Sequence, residues 1–226
     1  MSKKYIPKHK IQTYIIDVLM RQKYARFRDM RPVKADTNLY SYHLKVLQQE
    51  GFVVKSDDGY TLGKNGLIYA NRNNASKSVI GEVHPDVRIL LVIQNSNGDI
   101  LLQKRDRQPF IDSWVLPGGS VRDSDSTIAA AAKRIAGESL QLQSVAPRHA
   151  GDCYIRILDE NQVMMSTLVH VFRFETNELV PDDLLSWARP HKLGQYDLAP
   201  AVEDIVTRTF FNDPYFFEEY TAELLS

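Results

Sequence analysis

Residues 114–142, WVLPGGSVRDSDSTIAAAAKRIAGESLQL, constrain the fold more than any other stretch of the chain. A strand ends in Trp114-Val115-Leu116-Pro117, the pair Gly118-Gly119 turns the chain, a short polar loop follows, and an alanine-rich helix begins. Ile128, Ala131, Ala132 and Ile135 recur at three- and four-residue spacing, so they form one apolar stripe. Ser124 or Ser126 is placed to cap the helix start. Positions 134, 137 and 138 share a second face of the same helix. That face carries Arg134, Gly137 and Glu138, which is one cation, one missing side chain and one carboxylate. A glycine inside a helix costs about 1 kcal/mol relative to alanine.

The outline resembles the Nudix box, the loop–helix–loop signature of hydrolases that cleave a nucleoside diphosphate linked to another group. The family pattern is Gly, five residues, Glu, seven residues, then Arg-Glu-aliphatic-any-Glu-Glu-any-Gly. With Gly119 as the first glycine, Asp125 stands where the early Glu belongs and Lys133 stands for the Arg. Arg134 replaces the first helix Glu, Ile135 keeps the aliphatic position, Gly137 replaces the second helix Glu, and Leu140 replaces the final Gly. Only Glu138 survives. In the family the glutamates hold Mg²⁺, which demands oxygen ligands in near-octahedral geometry and polarises the diphosphate. Asp125 and Glu138 are thus the residual catalytic and metal-binding candidates, and two donors beside a guanidinium predict that hydrolysis is weak or lost. Arg134 has two readings. It lies on a solvated face beside an acid, or it grips a phosphate with two parallel hydrogen bonds in place of the metal.

The formal net charge of zero conceals an asymmetry. Residues 1–76 carry 14 Lys+Arg against 6 Asp+Glu, and the remainder carry 14 against 22. A basic module followed by an acidic one marks two domains, residues 1–76 and 77–226, and points to a polyanionic partner for the first. The polar run Asn71–Ser78 reads as their junction. The single cysteine, Cys153, excludes an internal disulfide and a thiolate metal cluster, which fits a reducing cytoplasm. No segment reaches the roughly 20 apolar residues of a membrane span, so no membrane partner is expected.

In the basic module, Ile11, Tyr14, Ile15, Val18 and Leu19 recur at helical spacing. A short helix is expected over 25–30, burying Phe27 and Met30, and a third over 37–49, with Leu39, Tyr42, Val46 and Leu47 inward. A hairpin around Ser56-Asp57-Asp58-Gly59 and a last helix over 64–71, burying Leu67 and Ile68, complete it. The segment NLYSYHLKVLQQEGFVVKSDDGYTLGKNG resembles the recognition helix and wing of bacterial winged helix-turn-helix regulators. That resemblance implies DNA as partner, with the third helix in the major groove and the wing on phosphates. Asn38, Tyr40, Ser41, His43 and Lys45 are then the outward candidates, and Lys45, Lys55 and Arg28 neutralise phosphates. Winged helices also mediate protein contacts, and His43 has a plain reading as a helix residue with no DNA role.

In the acidic module, Val87–Asn95 is a near-continuous apolar run, as in a buried strand. A turn at Ser96-Asn97-Gly98 and a second strand over 99–104 follow. The segment KRDRQPFIDSW resembles the stretch before the box in Nudix proteins. It offers Arg105 and Arg107 to ligand phosphates and Phe110 to a base, alongside Gly118, Gly119 and Arg134, while Trp114 reads as packing. Further strands are expected over 148–157 and 164–175. His170 reads as structural, and Asp152 is a candidate late acid. A helix over 201–211 should pack Ala201, Ile205 and Phe210 on the sheet. The aromatic tail PYFFEEYTAELL should dock on the core or on a second subunit.

The expected fold class is therefore α+β with two domains, an N-terminal winged helix-turn-helix and a C-terminal Nudix α/β/α sandwich with a mixed sheet. Fusions of these two domains look like regulators that sense nucleotide-derived small molecules such as ADP-ribose or sugar nucleotides. In those regulators the Nudix domain comes first, whereas here the order is reversed. The function expected is a cytoplasmic DNA-binding transcriptional regulator, a homodimer because two copies reach both half-sites, with no cofactor. Two alternatives stay open. One is an active Mg²⁺-dependent Nudix pyrophosphohydrolase with an accessory winged helix, and the other a Nudix-like fold used only for dimerisation.

Overall fold

The computed structural model describes residues 5–74, 85–160, 162–210 and 215–223. The chain divides into two compact units, Met1–Asn74 with Asp106–Ile111, and Ala75–Arg105 with Asp112–Ser226.

The first unit opens with α1, Lys10–Met20. His9 caps it: its Nδ1 accepts the Ile11 N–H at 3.2 Å, while Gln12 reaches back to the His9 N–H, so two orphan donors are satisfied reciprocally. Ile11, Ile15, Ile16 and Leu19 face the core, and Tyr14, expected inward, is exposed. The helix expected over 25–30 does not form. Ala25 instead exchanges both backbone hydrogen bonds with Tyr60, each 2.9 Å, and residues 27–30 make a turn. Met30 is still buried, whereas Phe27 is partly exposed with its ring edge-on to Tyr40. α2, Thr37–Gln49, matches its expected bounds and is capped by the Asp36 carboxylate on the Asn38 and Leu39 N–H groups.

A hairpin follows, with β1 (Val53–Ser56) antiparallel to β2 (Gly59–Leu62). Gly59 has φ +135°, and a Cβ there would stand 2.8 Å from the Ala25 carbonyl oxygen, so only glycine allows this approach. α3, Lys64–Asn74, closes the unit. It takes up residues 71–74 of the expected junction, and 75–78 lie outside the described residues. Within α3, Gly66 and Ala70 are buried, with Leu67 and Ile68 only half-buried. The core joins Ile15, Ile16, Leu19, Met30, Tyr40 and Leu47, each fully buried; such side chains contribute about 1.5–3 kcal/mol apiece.

The second unit is a mixed eight-stranded sheet. In chain order it contains β3 (Asp86–Gln94), β4 (Ile100–Lys104), β5 (Trp114–Val115), β6 (Gly118–Ser120), α4 (Ile128–Leu140), β7 (Arg148–Asp159), β8 (Gln162–Glu175), β9 (Leu185–Ala188), α5 (Val202–Phe210) and β10 (Phe216–Glu223). The strand order is β10-β7-β8-β3-β4-β5, with β6 added to β3 and β9 to β4. The pairs β3/β8 and β7/β10 are parallel and the rest antiparallel.

Strand alternation places Ile89, Leu91, Ile93, Phe172 and Phe174 on one face, where Ala131, Ala132, Ile135 and Ala136 of α4 cover them. The small alanines let the helix lie close. The opposite face carries Val92, Leu102, Val169 and Val171, all buried. Arg173, on that side, donates to the Thr209 carbonyl of α5 at 3.2 Å. Helix, sheet and helix thus form three layers. α5 buries Val202, Ile205, Val206 and Thr209. Of its expected inward residues Ala201 is only half-buried and Phe210 is 40 % exposed, while Phe211 lies outside the described residues. The aromatic tail, expected to dock, forms β10 and extends the sheet edge in parallel with β7. Among the described residues, no helix is long and apolar enough to cross a membrane.

Candidate functional site

The strand–turn–helix of residues 114–142 folds so that both glycines of the turn, Gly118 and Gly119, have a packing duty. A Cβ on Gly118 would meet the Ile89 carbonyl oxygen at 2.4 Å, and one on Gly119 would meet the Ile135 side chain at 3.2 Å. The turn therefore seats α4 on β3 through backbone contact. Thr127, not Ser124 or Ser126, is the N-cap, accepting the Ala130 N–H at 3.0 Å.

On the exposed face of α4 the three charged residues singled out by spacing do meet. Arg134 donates from Nε and Nη2 to the two oxygens of Asp125, both at 2.7 Å, from Nη1 to Glu138 at 3.1 Å, and from Nη2 to the Ser120 carbonyl at 3.0 Å. A fourth group completes the cluster. Arg122 forks onto Glu138 with Nη1–Oε1 at 2.7 Å and Nη2–Oε2 at 2.9 Å, and its backbone N–H donates to Asp125. Two guanidiniums thus hold two carboxylates. The Arg134 side-chain hydrogen bonds drag the Asp125 carboxyl down to about 2. Those from Arg122 lower Glu138, and Asp125 in turn raises Arg134. Arg122 escaped the sequence reading because no helical spacing connects it to Glu138.

The NUDIX domain model matches residues 84–208, more than half of the chain. The chain belongs to the NUDIX domain family. Solved structures with which it shares similarity include a mutator MutT protein from Bacillus halodurans, 19% identical over 60% of this chain and 90% of that one, TM-score 0.47. They also include the NUDIX domain of Shewanella oneidensis NrtR complexed with ADP ribose, 13% identical over 61% of this chain and 94% of that one, TM-score 0.47. A third is Shewanella oneidensis NrtR complexed with a 27mer DNA, 14% identical over 54% and 59% of the respective chains, TM-score 0.47.

The NUDIX box of this chain does not fit Mg²⁺. The ion needs oxygens free to enter an octahedron, whereas all four carboxylate oxygens of Asp125 and Glu138 accept from arginine. The position of the first helix glutamate is itself Arg134, with its side chain 19% exposed. Arg134 spends at least four of its five donors inside the cluster. Arg134 lies beside an acid, but with its side chain 19% exposed it is not on the solvated face that one of its readings expected.

The other ligand candidates precede β5 in the chain. Arg105 is half-exposed at the end of β4, its N–H on the Ser113 carbonyl. Arg107 and Phe110 fall in Asp106–Ile111, the segment grouped with the first unit. Arg107 is exposed beside Asp106, and Phe110 is half-buried with φ +65°. Trp114 packs edge-on against Tyr196. A cavity of about 590 Å³ in the NUDIX domain is lined by none of these candidates. Its walls include Arg148 and Arg173, which face each other across β7 and β8, with Phe174 and Phe210.

In the first unit the outward face of α2 differs from expectation by one position. Tyr40 is fully buried, with its hydroxyl donating to the Phe27 carbonyl at 2.9 Å. His43 is buried and stacked on His9, ring centroids 3.9 Å apart. Burial, then the neighbouring His9, pushes the His43 pKa down. Neither can be an outward contact. Leu39 and Tyr42, expected inward, are exposed. Asn38 and Lys45 are exposed and Ser41 half-exposed, its hydroxyl on the Thr37 carbonyl. Lys55 is exposed on β1, and Arg28 is exposed beside Asp29.

A second cluster of polar, titratable side chains lies on β7 and β8 of the NUDIX domain, made of residues outside the box. Asp152 and His170 are partners across β7 and β8, and His149 joins them. His149 Nε2 and His170 Nδ1 stand 2.8 and 2.7 Å from the same oxygen, Asp152 Oδ1, and the Tyr215 hydroxyl donates to Oδ2. Asp152 is the suspected late acid. His149 was not singled out, and its signal, a His three residues before an Asp on the strand facing His170, becomes legible only once β7 and β8 are in register.

Proposed function

We propose that this protein is a DNA-binding transcriptional regulator, cytoplasmic and homodimeric, whose NUDIX domain senses a nucleotide-diphosphate ligand with little or no hydrolysis. The observation that carries the reading is the arginine clamp. Asp125 and Glu138 are each held by a two-pronged guanidinium contact, so the surviving acids of the box have no free oxygen for the metal on which cleavage depends. Ligand recognition is supported by the 590 Å³ cavity, within the usual size range of small-molecule sites. Its two arginines suit phosphates and its two phenylalanines suit a base.

DNA binding is supported by the charge of residues 1–76 and by one face of α2. Asn38, Ser41, Tyr42 and Lys45 recur at three- and four-residue spacing with none of them buried. Read as a winged helix, this face enters the major groove, and Lys55 on the hairpin meets the backbone. Ligand binding then shifts operator affinity by linkage between the two sites.

The test is a gel-shift titration of the full chain on genomic fragments, with and without ADP-ribose, paired with a Mg²⁺ and Mn²⁺ hydrolysis assay over a nucleotide panel. Salt-sensitive binding that Lys45→Ala weakens, with a salt slope reduced by about one, is expected, together with a ligand-dependent shift and no turnover. DNA binding that is absent or insensitive to salt removes the regulator. Turnover that Glu138→Gln abolishes replaces it with a metal-dependent pyrophosphohydrolase.

A further inference from the structure

We propose that His149, Asp152 and His170, none of them a residue of the NUDIX box, form a binding site for one divalent transition-metal ion of the zinc class. The three candidate ligand atoms all lie within 4.8 Å of one another. Two imidazole nitrogens converge on a single oxygen, Asp152 Oδ1. That oxygen is a point where positive charge is wanted from two sides, and one cation seated among the three atoms supplies it. Loading requires each imidazole only to carry its N–H on the other ring nitrogen, Nδ1 of His149 and Nε2 of His170. The ligand spacing must open from the 2.7 and 2.8 Å of the hydrogen bonds to the edge of a tetrahedron with bonds of about 2.0–2.1 Å, an edge of about 3.3 Å.

The scaffold holds the ligands in place. Asp152 and His170 sit directly opposite each other on paired strands, and a register shift between His149 and Gly151 turns His149 toward them, as bulges do when they re-aim a side chain. The His149 ring stacks on Phe172, its cross-strand partner, at 4.9 Å and 25°. Tyr215 engages Asp152 Oδ2, which orients the carboxylate so that Oδ1 is the ligating oxygen, the role outer-shell partners play at metal sites. Two imidazoles and one carboxylate favour zinc, cobalt or nickel over magnesium. Three protein ligands leave a fourth position for water or an anionic group, and the His149 side chain, 38% exposed, leaves that position accessible.

The experiment titrates the metal-free full chain with Zn²⁺ against a chromophoric chelator and repeats it with Co²⁺ read by its visible absorption. One ion per chain is expected, undisturbed by excess Mg²⁺, with affinity at least about tenfold weaker in His149→Ala and in Asp152→Asn, and unchanged in Glu138→Gln. In the wild type, Zn²⁺ must also shift the ring NMR signals of His149 and His170, a readout that holds whether or not a variant folds. The proposal is overturned if Zn²⁺ leaves those signals in place, if both variants bind at wild-type strength, or if Glu138→Gln costs the same tenfold.

Discussion

The two charged clusters of the NUDIX domain satisfy their carboxylates in opposite ways. At the box, Asp125 and Glu138 are held by guanidiniums, which stay protonated at any physiological pH and have no lone pair to offer a metal. On β7 and β8, Asp152 is held by two imidazoles and a phenol, and imidazole is a ligand as soon as its proton moves to the other nitrogen. Both arrangements satisfy their acids with hydrogen bonds, yet only the second can exchange its partners for an ion. Counting acids on the helix face identifies neither state, because the identity of the partner decides it.

The largest expected effect tests the contrast directly. Zn²⁺ at about 1,000 times its dissociation constant should stabilise the protein by about 4 kcal/mol, read as a shift in the urea midpoint, while Mg²⁺ at millimolar level should leave the midpoint in place. Stabilisation by Mg²⁺ that Glu138→Gln removes would mean that the arginine clamp opens, and the contrast would fail at the box.

Removing the clamp comes next. Arg134→Ala strips Asp125, whose side chain is 6% exposed, of two hydrogen bonds and leaves a largely buried carboxylate with fewer partners, a loss of about 1–3 kcal/mol. Arg134→Lys should recover little of it, since an ammonium cannot present the planar fork. Arg122→Ala should cost less, because Arg122 and Glu138 are both half-exposed and solvent takes over the contact. Equal losses at the two arginines would show that burial does not set the strength of the clamp.

A pH profile resolves a smaller part of the same energy. Asp125 is depressed to about 2 in the folded chain, first by its hydrogen bonds to Arg134, against about 3.9 unfolded. A depressed carboxyl contributes stability that is fully present above the unfolded value and is lost as pH falls through the folded one. Wild-type stability should therefore drop more steeply than that of Arg134→Ala between about pH 4 and 2, followed by chemical denaturation at fixed ionic strength. Parallel profiles would separate Asp125 from Arg134.

Much of this architecture was legible because local pattern and tertiary structure agree. The stripe Ala131, Ala132, Ile135 predicts the packed face of α4, and the bounds of α2 coincide with its expected span. The failures have physical causes. The helix expected over 25–30 lost to a pairing across the chain, since Ala25 spends both backbone groups on Tyr60. The face of α2 slipped by one position because Leu39 and Tyr40, like Tyr42 and His43, are adjacent residues that both can be buried, and only packing against Phe27 and His9 selects one of each. The tail reads as a docking segment because its residue types, FFEEYTAE, do not alternate apolar with polar even though their burial does, and its partner is the distant β7. At the site, Arg134 and Glu138 are visible through helical spacing and Asp125 through the register of the box, whereas Arg122 and the trio on β7 and β8 depend on a loop path and a strand register that no short-range rule supplies.

The smallest expected effect asks what Gly137 does at a position where the family has a glutamate. If the glycine were there to let the backbone approach something, a methyl group would clash. A Cβ at 137 would instead meet the Leu142 carbonyl oxygen at 3.6 Å, ordinary contact, within a regular helix. Gly137→Ala should therefore stabilise the protein by about 0.5–1 kcal/mol, the helix propensity difference alone, measured as a small rise in the urea midpoint with an unchanged slope. The same space admits a carboxylate, so Gly137→Glu should fold, and the added acid lies one turn from Arg134 on the same helix face. Joined with Arg134→Glu it would rebuild the helix carboxylates of the family, and Mg²⁺ should then stabilise the double variant where it leaves the wild type untouched. A double variant that folds and still ignores Mg²⁺ would show that Arg122 alone keeps Glu138 closed to the metal, moving the cause of the difference between the two clusters from the helix to the loop before it.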